Sequence, residues 1–223
     1  MLDLKNVTLV SVNCIKTFEP IIALKYSMKG INFGSVKFLT SENIQENVDL
    51  TDIDVIKIPK LDYENYSRFL VYELYKYIET EFLLIIQDDG YVINPQSWKN
   101  EFFEYDYIGA PWALPPDNDK VGYRDAFGNI VRVGNGGFSL RSKKLMSLPD
   151  TLRLEWKSYF GFYNEDGYFT CHNRHIFQKE GCRFADIDIA KYFSHETNLP
   201  ELKGIEPFGF HGKWTKFVHL AYV

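Results

Sequence analysis

The apolar run Phe82–Ile86 (FLLII) is followed at once by Gln87, Asp88, Asp89 and Gly90. Two adjacent carboxylates repel each other and are costly to hold together unless a cation or a base shares the site. Hard divalent ions favour carboxylate oxygens, and Mg²⁺ or Mn²⁺ commonly bridges one or two carboxylates to substrate phosphates. The same residues also read as a turn with one capping and one solvated aspartate, since Asp-Gly is a common turn pair. On this motif alone both readings stay open.

Three later segments bear on the choice. Val133 to Arg141 (VGNGGFSLR) places three glycines, Gly134, Gly136 and Gly137, just before a strand-like run. They permit either close backbone approach to a ligand or a plain glycine-rich hairpin. No Gly-Lys-Ser/Thr follows, so this is not a nucleotide P-loop. Glu165 and Asp166, in YNEDGY (163–168), form an acidic pair at the expected start of a helix. The pair either favours the helix N-terminus electrostatically or offers a general base to an acceptor hydroxyl. His211 is flanked by glycines and aromatics in PFGFHGKW (207–214), a setting that suits a ligand approached closely by backbone. Cys171, His172, His175 and Cys182 form a rival zinc set, but their spacing matches no common zinc pattern.

These groups must be positioned by something. Val7–Val12, Val36–Thr40, Ile53–Ile58 and Phe82–Ile86 are short β-rich runs. Glu19–Lys29 and Tyr66–Ile78 lie between them and carry helical character, the second with apolar residues at a 3.6-residue period. Strands alternating with helices predict an α/β fold with a parallel sheet. FLLII is apolar without alternation, as in a central strand covered on both faces. Ligands of such sheets bind beyond the carboxyl ends of the strands, which is where Asp88 and Asp89 fall. After residue 90 the pattern loosens: strands at Tyr105–Ala110 and Gly137–Arg141, a loop from Pro111 to Gly136, and a helix from Glu165 to Lys179 ended by Gly181.

In this order the motifs resemble those of GT-A type glycosyltransferases. The match is to small glycosyltransferase-like domains of bacterial polysaccharide clusters and large viruses. It is carried by IIQDDG (85–90), YIGAPW (107–112), GNGGFSLRSKK (134–144), NEDGYF (164–169) and FGFHG (208–212), and runs over the chain from about Ile53. The resemblance implies a Rossmann-like, mostly parallel sheet with helices on both faces. Residues 1–90 would be the nucleotide-sugar half and 91–223 an irregular acceptor and catalytic half of one domain. It implies Mn²⁺ or Mg²⁺ held by Asp89 and His211, with Asp88 on the donor's ribose or sugar, or on the metal through water. Val12 and Asn13 would sit beside the nucleoside, Arg68 would reach the diphosphate, and Gly136 and Gly137 would line the donor–acceptor junction. Asp166, with Glu165 second, would be the catalytic base of an inverting transfer from a UDP-linked sugar to a glycan hydroxyl. Trp112 would either stack on a sugar or serve as a core residue. The family's Asp-x-Asp reads Gln87-Asp88-Asp89 here, so an amide stands where the first carboxylate is expected.

Composition narrows the alternatives. The formal net charge of −5 argues against a general nucleic-acid binder, which needs a basic footprint. Aromatics at 17% suit a cleft that stacks rings on a base or sugar. A nucleotidyltransferase of similar fold would carry a glycine- and lysine- or arginine-rich loop after the first strand, where this chain has Ser11 to Lys16 (SVNCIK). A carbohydrate-binding module would need the aromatics without the acidic motif and His211. Three scattered cysteines and the lack of a charged-then-apolar leader point to a cytoplasmic protein, with any membrane link peripheral. The end FVHLAYV (217–223) reads as a strand continuing into a longer multidomain chain.

Overall fold

The computed structural model describes residues 1–46, 48–116, 123–158 and 164–212. Strand β1 (Leu2–Val12) is followed by α1 (Phe18–Ser27), β2 (Ile31–Thr40), β3 (Asp54–Lys57), α2 (Tyr63–Tyr72), β4 (Phe82–Ile86) and β5 (Gly90–Val92). Then come β6 (Tyr107–Ile108), β7 (Phe138–Ser142), α3 (Lys143–Thr151), α4 (Glu165–Gly167), α5 (Arg174–Lys179), α6 (Ile187–Phe193), β8 (Ser194–His195) and β9 (Gly209–His211).

The main sheet has the order β3-β2-β1-β4-β7-β6. Its first four strands are parallel, and β7 runs antiparallel to both β4 and β6. The run of five buried residues in β4 has its reason here. Phe82, Leu84 and Ile86 pack on the side that holds Ile21 and Leu24 of α1 and Phe193 of α6. Leu83 and Ile85 pack on the opposite side with Phe69 and Leu70 of α2 and Leu145 of α3. A strand covered on both faces needs no polar alternation.

Local signals set the helix ends. The Asp62 carboxylate accepts from the backbone N–H of Asn65 at 2.8 Å, so α2 begins three residues earlier than its apolar period predicts. At Glu73 it gives way to a tighter 3₁₀ turn, Leu74–Tyr77, which still keeps Leu74 and Ile78 buried. The helix expected over 165–179 is broken. One α turn, α4, runs into a π-helical turn (Tyr168–His172) that buries Tyr168, Phe169, Thr170 and Cys171 together, and α5 starts after Asn173. Gly181, with φ +76°, lies just past its end.

The expected strand over Tyr105–Ala110 is reduced to β6, and the Pro111–Gly136 loop carries only isolated bridges among its described residues. A small second sheet, β5-β9-β8, has no counterpart in the sequence reading, because its strands are two or three residues long. It pairs Gly90 with His211 and thereby ties the end of β4 to the far end of the chain. The strand expected over 217–223 lies outside the described residues. No helix among the described residues is long and apolar enough to cross a membrane.

Candidate active site

The carboxyl end of β4 is held by two backbone bonds. The Gln87 N–H donates to the Gly137 carbonyl at 2.8 Å, and the Gly90 N–H closes the turn onto the Gln87 carbonyl at 3.0 Å. The Gly90–His211 pairing, with the Gly212 N–H on the Asp89 carbonyl at 3.1 Å, then sets His211 against the acidic turn. His211 Nε2 lies 3.2 Å from Asp89 Oδ1 and 3.1 Å from Gln87 Oε1. Its Nδ1 lies 3.0 Å from Asn135 Nδ2 and 3.6 Å from Glu196 Oε1. Burial by itself would lower the imidazole's proton affinity, but the Asp89 and Glu196 carboxylates outweigh it and raise the pKa to about 9.

The glycines have a specific use. A Cβ at Gly137 would stand 2.1 Å from His211 Nε2, and one at Gly136 would stand 2.0 Å from Glu165 Oε1. The space they free is thus taken by the protein's own histidine and glutamate. Asn135, with φ +35°, turns the chain just before them and accepts from the Phe138 N–H at 3.2 Å.

Beneath this loop Arg141 is fully buried. Its Nη2 donates to Glu165 Oε1 at 2.9 Å and its Nε to Ser139 Oγ at 3.0 Å, and its guanidinium lies 4.8 Å from the Tyr107 ring centroid. Asp166 follows Glu165 in α4 and accepts the Gly167 N–H at 2.6 Å. Burial and the neighbouring Glu165 carboxylate push its pKa up to about 7, against the lowering influence of the Gly167 N–H and Arg141. A carboxylate with that affinity is half-protonated near neutrality, the range in which a general base works best.

A cavity of about 310 Å³ opens beside the acidic turn, at the carboxyl ends of β1 and β4. Val12, Asn13, Tyr63, Tyr66, Gln87 and Asp88 line it. Asn13 Oδ1 accepts from the backbone N–H groups of Ile15 and Lys16, bending the chain so that Lys16 Nζ reaches Asp88 Oδ2 at 2.8 Å. Tyr66 receives the Gln87 side-chain amide at 3.2 Å.

The structure therefore gathers Asp88, Asp89, His211, Gly136, Gly137, Glu165 and Asp166 around the end of β4, with Val12 and Asn13 on the adjoining cavity. Two residues sit elsewhere. Arg68 lines a separate groove between α2 and the segment after α3. Trp112 is buried with Val131 and Cys171, its ring against Gly134. Cys171 and Cys182 are buried in different clusters, and no group of three His, Cys, Asp or Glu residues converges as a metal cage among the described residues. Lys16, Tyr66, Asn135, Arg141 and Glu196 complete the site without having been singled out from sequence, and Gln87, noted there as the amide in place of a carboxylate, joins them. Asn135 and Arg141 lay inside quoted motifs, whereas Glu196 carried no local signal.

The donor set around Asp89 fits a hard divalent ion. One carboxylate and one imidazole converge, and such ions commonly take one or two protein groups and complete their shell with phosphate oxygens and water.

Comparison with known proteins places the chain in a family. Residues 53–211 match the family model described as "Protein of unknown function (DUF5672)", and the chain belongs to that family. No curated protein matches it significantly. Its fold is similar to that of the galactosyltransferase LgtC in complex with donor and acceptor sugar analogs, with TM-score 0.60 and 13% identity over 96% of this chain and 95% of that one. An active-site mutant of LgtC is also similar, with TM-score 0.54 and 12% identity over 92% and 86% of the two chains. The apo-form glycosyltransferase GlyE of Streptococcus pneumoniae TIGR4 gives TM-score 0.49 and 13% identity over 92% of this chain and 53% of that one. The chain has the GT-A type fold, with its mostly parallel central sheet flanked by helices.

Proposed function

We infer that the chain is a metal-dependent glycosyltransferase, moving a sugar from a UDP-linked donor to a glycan hydroxyl with inversion, in the assembly of a polysaccharide. The observation that carries this reading is the pairing of Asp89 with His211 at the carboxyl end of β4, beside a cavity of about 310 Å³ lined by Asp88.

The cavity lined by Val12, Asn13 and Tyr66 holds the nucleoside, and Asp88 faces its ribose. Asp89 and His211 hold Mn²⁺ or Mg²⁺, which when bound neutralises the donor diphosphate and stabilises it as a leaving group. Lys16, paired with Asp88 at 2.8 Å, keeps that carboxylate from repelling the donor phosphates. Asp166 accepts the proton of the acceptor hydroxyl as it attacks the anomeric carbon. Glu165 is committed to Arg141 at 2.9 Å, which leaves Asp166 as the base.

The test is nucleotide release from UDP-, GDP-, CMP- and TDP-sugars, with Mn²⁺ or EDTA. The account expects release from UDP-sugars that needs Mn²⁺ and is lost in Asp89→Ala. Release that survives EDTA and Asp89→Ala equally would sink it.

A further inference from the structure

A second cavity lies away from the end of β4. It is a groove of about 920 Å³ between α2 and the segment that follows α3, within the range of ligand-binding clefts. Its two walls are tied together. The Tyr72 hydroxyl donates to the Leu154 carbonyl at 2.7 Å, and Trp156 Nε1 donates to Glu64 Oε1 at 3.2 Å. Arg153, with φ +52°, makes the reversal that brings Leu154 and Trp156 back along α2.

The acids of this groove are partnered, whereas two of its bases are not. Three acids line it, and each has a partner: Glu73 meets Lys76 at 3.0 Å, Asp150 meets the Tyr75 hydroxyl at 2.8 Å, and Glu155 meets Lys157 at 2.8 Å. Arg68 and Arg153 also line it, both exposed, and neither makes an ion pair or side-chain hydrogen bond among the described residues. Two unpaired guanidiniums therefore flank a cleft that also contains Phe69, Tyr72 and Trp156. Guanidinium forks match planar carboxylate oxygens, and aromatic rings match the apolar faces of sugars.

We propose that this groove binds an acidic saccharide, its carboxylates held by Arg68 and Arg153 and its rings against Tyr72 and Trp156. Leu61 lines both this groove and the nucleoside cavity, so the two adjoin. The saccharide is the distal part of the acceptor chain, an assignment that rests on the glycosyltransferase reading; its binding does not.

Calorimetry with a tetrasaccharide of alternating glucuronate and N-acetylglucosamine, against neutral chitotetraose of the same length, tests the proposal. Arg68→Gln and Arg153→Asn remove the charges on the surface, and asparagine tolerates the left-handed backbone at 153. The acidic tetrasaccharide should bind about tenfold or more tightly than the neutral one, and each variant should weaken it by about tenfold. Binding should also fall as salt is raised to about 0.5 M. Equal affinity for both tetramers, no binding of the acidic one, or indifference to both variants overturns the proposal. Displacement of the acidic tetrasaccharide by low-millimolar inorganic phosphate also overturns it, in favour of a simple phosphate site. Donor turnover by the native chain separates the two readings: a groove that binds the acidic tetrasaccharide normally in a native chain that releases nucleotide from no donor leaves this proposal standing and removes the glycosyltransferase one.

Discussion

His211 Nε2 stands 3.2 Å from Asp89 Oδ1, and the same ring fills the space that a side chain at Gly137 would occupy. Residues separated by more than half of the chain thus share one small volume, brought there by the pairing of β5 with β9. The acidic turn, the glycine loop and the late histidine form one packed unit, so a change in any of them is felt by the other two.

Gly137→Ala should show this directly. The added methyl would lie 2.1 Å from His211 Nε2 and 2.4 Å from its Cδ2, so the ring or the loop must move. We expect a loss of about 1–3 kcal/mol in urea unfolding, as for overpacked cores. The stabilisation of the melting temperature by Mn²⁺ should also shrink. A variant with unchanged stability and unchanged Mn²⁺ response would mean that His211 is not held as described.

The Arg141–Glu165 pair predicts a different pattern. Both side chains are buried, and Arg141 Nη1 has no hydrogen-bond partner among the described residues. Arg141→Met strands the Glu165 carboxylate in an apolar setting and should cost about 3–5 kcal/mol. Adding Glu165→Leu should recover most of that loss, because the pair's own attraction barely exceeds its desolvation. Additive losses in the double variant would show that the two residues do not depend on each other.

How much of this was legible beforehand depends on the range of each signal. The four parallel strands were readable because each carries a local apolar run, and β4 even announced its burial on both faces. Asp88, Asp89 and Asp166 were readable because adjacent carboxylates at an element's end demand a reason. The small sheet was not, since strands such as Ser194–His195 are too short to show a period. Without that sheet nothing in the sequence joins Glu196 to His211. The glycines at 136 and 137 were seen to be unusual, but what they make room for lies 29 and 74 residues further along the chain, at Glu165 and His211. The helix over 165–179 was misread as continuous, because the demand to bury Tyr168, Phe169, Thr170 and Cys171 together opens a π turn that periodicity alone does not reveal.

Asp166 gives a prediction in pH. Its folded pKa of about 7 lies above the ordinary value of 3.8, so between these two the folded state binds the proton more tightly than the unfolded state does. Stability therefore falls as pH rises through that window. Asp166→Asn should remove this fall and raise the melting temperature most near about pH 8, with little effect near about pH 4. His211, raised to about 9 from 6.5, adds stability that is complete below 6.5 and lost as pH climbs to 9. On the proposed function, transfer should rise with pH through about 7, and Asp166→Asn should lower kcat by about 10²–10⁴ and flatten that rise. A full rate with an unaltered pH profile in Asp166→Asn would remove it as the base.

The central claim is that Asp89 and His211 hold a divalent cation together with a nucleotide diphosphate. The most direct measurement is the melting temperature with UDP and Mn²⁺, singly and combined, for the native chain, Asp89→Ala and His211→Ala. Ligands that bind the folded state raise the melting point by mass action. The account predicts a rise for the native chain with UDP and Mn²⁺ together that well exceeds the sum of the separate rises, and loss of that excess in both variants. Rises that are merely additive, or an excess that survives in both variants, would contradict it.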